Sequence, residues 1–366
     1  MTISAITGIL EKIAPPALQE DYDNAGLITG NHGWECTGAI IALDATEDIV
    51  QEAIDKKCNL VIAHHPIVFR GLKKINGKNY VERAIIKAIK NDIAIYAIHT
   101  NLDNIIDGVN GKIADKLELV NRRILSPKKN LLQKLAVFVP VNDREKLLDA
   151  LFAAGAGDIS NYSECSFSTA GDGTFKAGQG ANPVLGTIGK RHTEKETKIE
   201  VIFPVWMEEK IINAMKASHP YEEVAFDIYQ LTNNYGQTGS GLIGELEKAM
   251  EEQAFLHNIK KIFNIPVVRH TALLGRKVKK IALCGGAGSF LTAAAMQAGA
   301  DMYITADIKY HEFFDADKKL VLADIGHYES EQFTIDLLFD LLRQNFPNFA
   351  VLKTGVQTNP VHYLAG

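Results

Sequence analysis

The stretch Asn59-Leu-Val-Ile-Ala-His-His-Pro-Ile-Val-Phe69 sets two adjacent histidines, stopped by a proline, at the end of a short apolar run. An apolar run of this length with turn residues behind it reads as a buried β-strand. Just before it, EDIVQEAIDKKC (47–58) carries Ile49, Val50, Ala53, Ile54 and Cys58 on one helical face, and GAIIALD (38–44) is a second strand-like run. Just after it, YVERAIIKAIKND (80–92) has helical periodicity and IAIYAIHT (93–100) is another apolar run. Strands alternating with helices predict a parallel sheet built from right-handed crossovers.

The C-terminal third repeats the style. KKIALCG (279–285), DMYITA (301–306), KLVLADI (319–325) and FAVLKTG (349–355) read as strands; SFLTAAAMQAG (289–299), IKYHEFFDAD (308–317) and ESEQFTIDLLFDLLRQNF (329–346) read as helices. The two chain ends form either one doubly wound unit or two similar halves facing each other. Between them, residues 134–164 and 198–231 each run strand, then helix, separated by the Gly- and Ser-rich CSFSTAGDGTFKAGQGANPVLG, a hairpin with long loops. Such β-α-β units define a ferredoxin-like module of roughly 100 residues. The expected class is therefore α/β: a two-part α/β core with mixed or parallel sheets, residues 1–129 and 234–366, and an inserted ferredoxin-like α+β domain at 130–233.

The chain has 366 residues, 46% hydrophobic and 23% charged, with a formal charge of −5. That composition is ordinary for a globular protein. No basic footprint for a nucleic-acid partner is evident, and no apolar run approaches the ~20 residues that span a bilayer. Cys36, Cys58, Cys165 and Cys284 lack CxxC spacing and read as reduced, small hydrophobic residues of a cytoplasmic protein.

In open α/β sheets, functional groups collect beyond the carboxyl ends of the strands. His64 and His65 sit at such an end, as do His99 and Asp103 after IAIYAI, and His327 and Glu331 after KLVLADI. In a helix His327 and Glu331, at i and i+4, point the same way. Each cluster alone has an ordinary explanation: a satisfied turn histidine, an aspartate capping a turn, a helix start. Together they offer imidazoles and carboxylates to one crevice. Such donors, without thiolates, suit zinc, iron, manganese or cobalt. Three histidines and two carboxylates suit two ions ~3.5–4 Å apart, an arrangement that serves hydrolysis. Asp307 and His311 compete for the same edge and fit a supporting or proton-transfer role better. The run Cys284-Gly-Gly-Ala-Gly-Ser289 matches neither GxGxxG nor the P-loop pattern and reads as a close backbone approach beside the site. Asp23–Gly30 (DNAGLITG) reads as an active-site loop or a hairpin. His219-Pro-Tyr-Glu-Glu223 is either a structural turn or a small binding element.

DNAGLITG, AHHPIVF, AIHTNLDN, ITADIKYH and DIGHYESE together resemble the motifs of the Nif-three-like proteins, often named GTP cyclohydrolase I type 2 homologues. The resemblance implies a dinuclear metal centre with His64, His65, Asp103, His327 and Glu331 as ligands, Asp103 and Glu331 bridging, in a toroidal homohexamer. It leaves His99, Asp307 and His311 as nearby non-ligands. NYSECSFST and HPYEEVAFDIY resemble the inserted domain of the longer bacterial members, similar to PII and CutA-type modules, which is thought to cover the openings of the ring.

The expected function is a metal-dependent hydrolase with two divalent ions per chain (zinc, iron or manganese). Its substrate would be nucleotide-like or phosphate-bearing: a metal-bridging hydroxide opens a nucleotide ring or cleaves a phosphoester, and His99 or His311 moves protons. The alternative is a non-enzymatic metal-binding or regulatory hexameric scaffold.

Overall fold

The structure is a computed structural model that describes residues 1–236 and 238–364. Contacts divide the chain into two compact units, Met1–Pro127 with Gly236–Gly366, and Lys128–Tyr235.

The first unit holds two mixed sheets. One is five-stranded, in the order Gly26–Thr29, Ala94–Ala97, Leu60–Ala63, Ala39–Ala42, Val351–Lys353. Its first pair is antiparallel and the rest are parallel. The other is six-stranded, in the order Arg269–His270, Val321–Asp324, Met302–Ala306, Lys277–Ala287, Gly239–Glu251, Val120–Pro127. There the three strands 277–287, 302–306 and 321–324 are parallel, and the remaining pairs are antiparallel. The chain ends interlock, because the late strand 351–353 joins the early sheet and the early strand 120–127 joins the late one.

The two sheets share one core. Ile41, Ile62 and Tyr96 from the first cluster with Ile281, Leu283 and Ile304 from the second, and with Leu10, Ile113, Phe255 and Leu338 from the helices. On the opposite face of the first sheet, Ile40, Val61 and Ile95 pack against Ile49, Val50, Ala84 and Ile85 of the helices Glu47–Asp55 and Tyr80–Lys90. Leu60–Ala63 is thus covered on both sides and wholly buried, which is why its sequence does not alternate. Each fully buried Ile or Leu contributes ~1.5–3 kcal/mol of transfer free energy.

Local signals set the helix limits. The Thr46 side chain accepts from Ile49 N at the start of the 47–55 helix. Lys57, at φ 58°, turns the chain into the next strand. Two expectations need correction. Residues 308–317 form no α-helix but the 3-10 turn Tyr310–Ala316. Asp307 does not cap it, because its backbone lies in the left-handed region at φ 55° and its carboxylate is committed to His327. Residues 329–346 are two helices, His327–Glu331 and Thr334–Asn345, broken where Phe333 turns onto Phe263 with ring centroids 5.5 Å apart.

The second unit is a four-stranded antiparallel sheet in the order Ser166–Lys176, Arg191–Pro204, Leu132–Pro140, Phe226–Leu231. Leu135, Val137, Ile199, Val201 and Phe203 pack on Leu147 and Leu151 of the helix Arg144–Ala154 and on Ile211 and Met215 of the helix Glu208–Ser218. The long strand 191–204 alternates buried and half-buried over its second half, the mark of one covered face.

Among the described residues no helix is long and apolar enough to cross a membrane.

Candidate metal centre

Strand register assembles the site. Ala42, Ala63 and Ala97 are aligned across the three parallel strands of the first sheet. The residues just beyond them, Asp44, His64, His65 and His99, therefore leave at one edge. In the second sheet Ile304 pairs with Ala323 and Thr305 with Asp324, so Asp307 and His327 leave together. The turn of helix at His327–Glu331 brings both of its end side chains to the same point.

Four imidazoles meet there. Ring centroids lie 4.9 Å apart for His64 and His65, 5.2 Å for His64 and His99, and 5.2 Å for His65 and His327. Every ring has its Nδ1 engaged by an oxygen. His64 Nδ1 donates to the Ile98 carbonyl at 2.8 Å. His65 Nδ1 donates to Asp44 Oδ1 at 2.8 Å, His99 Nδ1 to Asp23 Oδ1 at 2.8 Å, and His327 Nδ1 to Asp307 Oδ2 at 2.7 Å. These acceptors hold a proton on each Nδ1 and point each Nε2 at the centre, as outer partners of metal-bound histidines do.

The Nε2 atoms converge on two carboxylates. His64 Nε2 is 3.6 Å from Asp103 Oδ1 and 3.9 Å from Glu331 Oε1. His65 Nε2 and His327 Nε2 are 3.0 and 3.2 Å from Glu331 Oε2. These last two contacts are close without hydrogen-bond alignment, and His64 Nε2, Asp103 Oδ1 and Glu331 Oε2 are buried with no hydrogen-bond partner. His64 is 0% exposed and Glu331 3%. Leaving such groups unsatisfied costs ~1–3 kcal/mol each, more for a charge. A divalent cation removes the conflict, and the donor set fits one. Donor atoms of His64, Asp103 and Glu331, of His65, His327 and Glu331, and of His64, His65 and His99 lie within 4.8 Å of one another as three overlapping groups.

Burial and neighbouring charge act in opposition. Burial holds the His64 pKa down. Burial opposes charge on His65 too, but Asp44 and Glu331 outweigh it and push the pKa up to about 9. His327, buried but flanked by Asp307 and Glu331, is pushed up to about 11. The two carboxylates of the centre move apart. Burial and the charge of Glu331 raise Asp103 well above the carboxylate range, whereas three imidazoles hold Glu331 well below it. Glu331 is the ionised member, because it alone has cationic partners on both sides.

Glycine makes room for this packing. A Cβ on Gly286, whose φ is +61°, would lie 2.3 Å from Glu331 Oε1 and 3.2 Å from His327 Nε2. The Gly-rich run is a close backbone approach against the two ligand candidates.

Above the centre opens a cavity of about 640 Å³, lined by His65, His99, Asp103 and His327 and by Tyr22, Phe69 and Arg269. The structure brings together His64, His65, His99, Asp103, His327 and Glu331, but not His311. That ring is exposed and lies against Tyr310 and Phe314, 5.1 and 6.4 Å between centroids. Sequence reasoning passed over Asp44 and Thr358. Asp44 stands two residues past its strand end, as His65 does, and that spacing was its signal. Thr358, whose Oγ1 donates to Asp44 Oδ2 at 2.5 Å, had no signal.

The fold and site are those of an α/β protein built around a histidine–carboxylate cluster whose donor atoms could hold a metal ion. The chain belongs to the DUF34/NIF3 (NGG1p interacting factor 3) family, whose profile matches residues 1–360. It is 38% identical over 361 residues, 97% of each chain, to a protein of Halalkalibacterium halodurans, and 40% identical over 325 residues, 88% of this chain and 87% of the relative, to one of Bacillus subtilis. Both are named GTP cyclohydrolase 1 type 2 homolog. The crystal structure of a Bacillus cereus protein related to NIF3 superposes with a TM-score of 0.87 at 37% identity, covering 100% of this chain and 99% of that one. A Staphylococcus aureus protein does so with a TM-score of 0.79 at 30% identity over the same shares.

Proposed function

We propose that this protein holds two divalent ions between His64, His65, Asp103, His327 and Glu331 and is a metal-dependent hydrolase of nucleotide-like or phosphate-bearing substrates. The observation that carries the reading is the convergence of three buried, unpartnered polar atoms with imidazoles whose other nitrogens are locked. The GTP cyclohydrolase names of the relatives support the substrate class. Bound ions would supply a Lewis acid and lower the pKa of water.

The chain's own residues do the rest. His99, tethered through Nδ1 to Asp23, lines the cavity and is the group suited to take or return a proton there. Asp23 is held in turn by Thr100 N at 3.0 Å and Thr100 Oγ1 at 2.5 Å, so the ring cannot turn freely. Tyr22 and Phe69 offer flat faces to a base, and Arg269, paired with Asp324 at 3.0 Å, gives the cavity a cationic edge. An open cavity of this size favours a substrate over a sealed metal store. The exposed aromatic rings of Phe290, Tyr310 and Phe314, 67–72% accessible, support assembly into the homohexamer. The order of strands and helices in 128–235 supports a ferredoxin-like insert.

The test is metal content per chain, by mass spectrometry of the acid-digested protein, for the wild type, His64→Ala and Glu331→Ala. About two ions per chain in the wild type, lost in both variants, is expected. No ion after reloading with zinc, iron and manganese would overturn the centre and the hydrolase. Turnover of GTP or phosphoesters by the loaded protein, lost in His99→Ala with the ions retained, would assign the chemistry.

A further inference from the structure

The 128–235 unit has a cavity of its own, about 370 Å³, at the smaller end of the range of small-molecule sites. Phe138, Phe175 and Tyr221 give it aromatic walls; Glu196, Glu222 and Glu223 bring three carboxylates against one ammonium, Lys176. The residues linking the strands Ser166–Lys176 and Arg191–Pro204 form one side, and Asn182 N donates to Glu222 Oε2 at 3.0 Å.

His219 builds the wall that bears Tyr221. Its Nε2 donates to the Phe138 carbonyl at 2.9 Å, and its Nδ1 accepts from Tyr221 N at 3.1 Å. The HPYEE segment is thus both a structural turn and a cavity wall: His219 holds the turn while Tyr221, Glu222 and Glu223 face the space.

One buried polar group in that space is unsatisfied, and a carboxylate stands beside it. The Tyr221 hydroxyl is shut off from solvent with no hydrogen-bond partner, its ring 6.2 Å from that of Phe175. Glu196 folds over Gly173, where a Cβ would lie 1.9 Å from its Oε2. Of the cations on its own strand, His192 pairs with Glu194 at 3.0 Å, Lys195 with Asp172 at 2.7 Å and Lys198 with Glu200 at 2.6 Å, with Lys134 also on Glu200 at 3.3 Å. Three carboxylates facing one ammonium, a buried hydroxyl without a partner and aromatic faces around them suit one ligand chemistry. A positively charged nitrogen donates to the carboxylate and the hydroxyl, and lies on the rings. An anion would meet three carboxylates, and a neutral hydrocarbon would leave the hydroxyl unsatisfied.

We propose that the 128–235 unit binds a small organic cation, a primary ammonium or guanidinium on a flat or narrow apolar body, between Tyr221, Phe175 and Glu196. The site is independent of the metal centre.

The test is calorimetric titration of the full-length protein with phenethylammonium and with agmatine, and with 3-phenylpropionate as the oppositely charged counterpart. At least one of the cations is expected to bind saturably, one per chain. Glu196→Gln should weaken it by about tenfold or more and Tyr221→Phe by a few fold, while His65→Ala, which disables the metal centre, leaves it unchanged. Tyr221→Phe keeps the ring and its packing, so it serves if Glu196→Gln fails to fold. Absence of saturable binding by both cations up to about 10 mM, equal binding of 3-phenylpropionate, or unchanged affinity in both variants would overturn the proposal.

Discussion

The Nε2 atoms of His65 and His327 lie 3.3 Å apart, although each ring already gives its Nδ1 proton to an aspartate, Asp44 or Asp307. Two lone pairs at that distance repel unless a positive charge lies between or beside them. A proton serves in the ion-free protein and a metal ion serves in its place. The two halves of the chain that contribute these rings are 262 residues apart, so the charge at this point also joins the two sheets.

This exchange predicts proton release. The pKa values of His65 and His327 are raised to about 9 and about 11, so at least one Nε2 of the pair carries a proton at neutral pH in the ion-free protein. An ion must displace a proton held there, so apparent affinity rises with pH through about 9 and on towards about 11. At pH 7.5, binding should release about one to two protons per chain, read as the change in calorimetric heat between buffers of different ionisation enthalpy. Identical heats in all buffers would count against the assignment.

Asp44 orients His65, and Thr358 orients Asp44. Asp44→Asn should weaken ion binding by about 10–100-fold, and Thr358→Val by a smaller factor, in competition with a chromogenic chelator. Unchanged far-ultraviolet circular dichroism in both variants would separate positioning from folding. Equal affinity in wild type and Asp44→Asn would refute the role.

Gly286→Ala inserts a methyl 2.3 Å from Glu331 Oε1 at a residue with φ +61°. The left-handed backbone alone costs ~1–2 kcal/mol, and the carboxylate must move. The variant should fold with a lowered melting temperature and lose most of its bound ion. Full metal content would show that Glu331 has slack the packing does not suggest.

In the 128–235 unit His219 must stay neutral, because its Nδ1 accepts from Tyr221 N. Burial holds its pKa below the ordinary value of 6.5. Its contribution is therefore present above pH 6.5 and is lost as pH falls towards the depressed folded value, at up to ~1.4 kcal/mol per pH unit. Urea unfolding followed by Trp206 fluorescence in a Trp34→Phe background, at pH 7.5 and 5.5, should show this loss with His219 in place. His219→Gln, which cannot titrate, should show less of it. The same slope in both proteins would place the acid sensitivity elsewhere.

Much of the fold was legible. Apolar runs such as Leu60–Ala63 are strands because both faces are covered, and a thoroughly buried strand must be written in Val, Ile, Leu and Ala. The Gly26–Thr29 strand was not legible: it is a half-buried edge strand, antiparallel to Ala94–Ala97, within a polar, Gly-rich segment that reads equally as a loop. The break between residues 331 and 334 escaped periodicity because the first helix, His327–Glu331, is polar and buries Glu329, Ser330 and Glu331, so no apolar stripe marks where it stops.

The sequence by itself determined that histidines and carboxylates stand just past the ends of apolar strands, since local hydrophobic patterning marks where each strand stops. Only the tertiary structure decided which of them meet. It chose Asp44, Asp307 and Asp23 as outer partners, left His311 on the surface, and committed every Nδ1. Those choices depend on register between strands and on two sheets closing over one core, relations among segments far apart in the chain that no local pattern encodes.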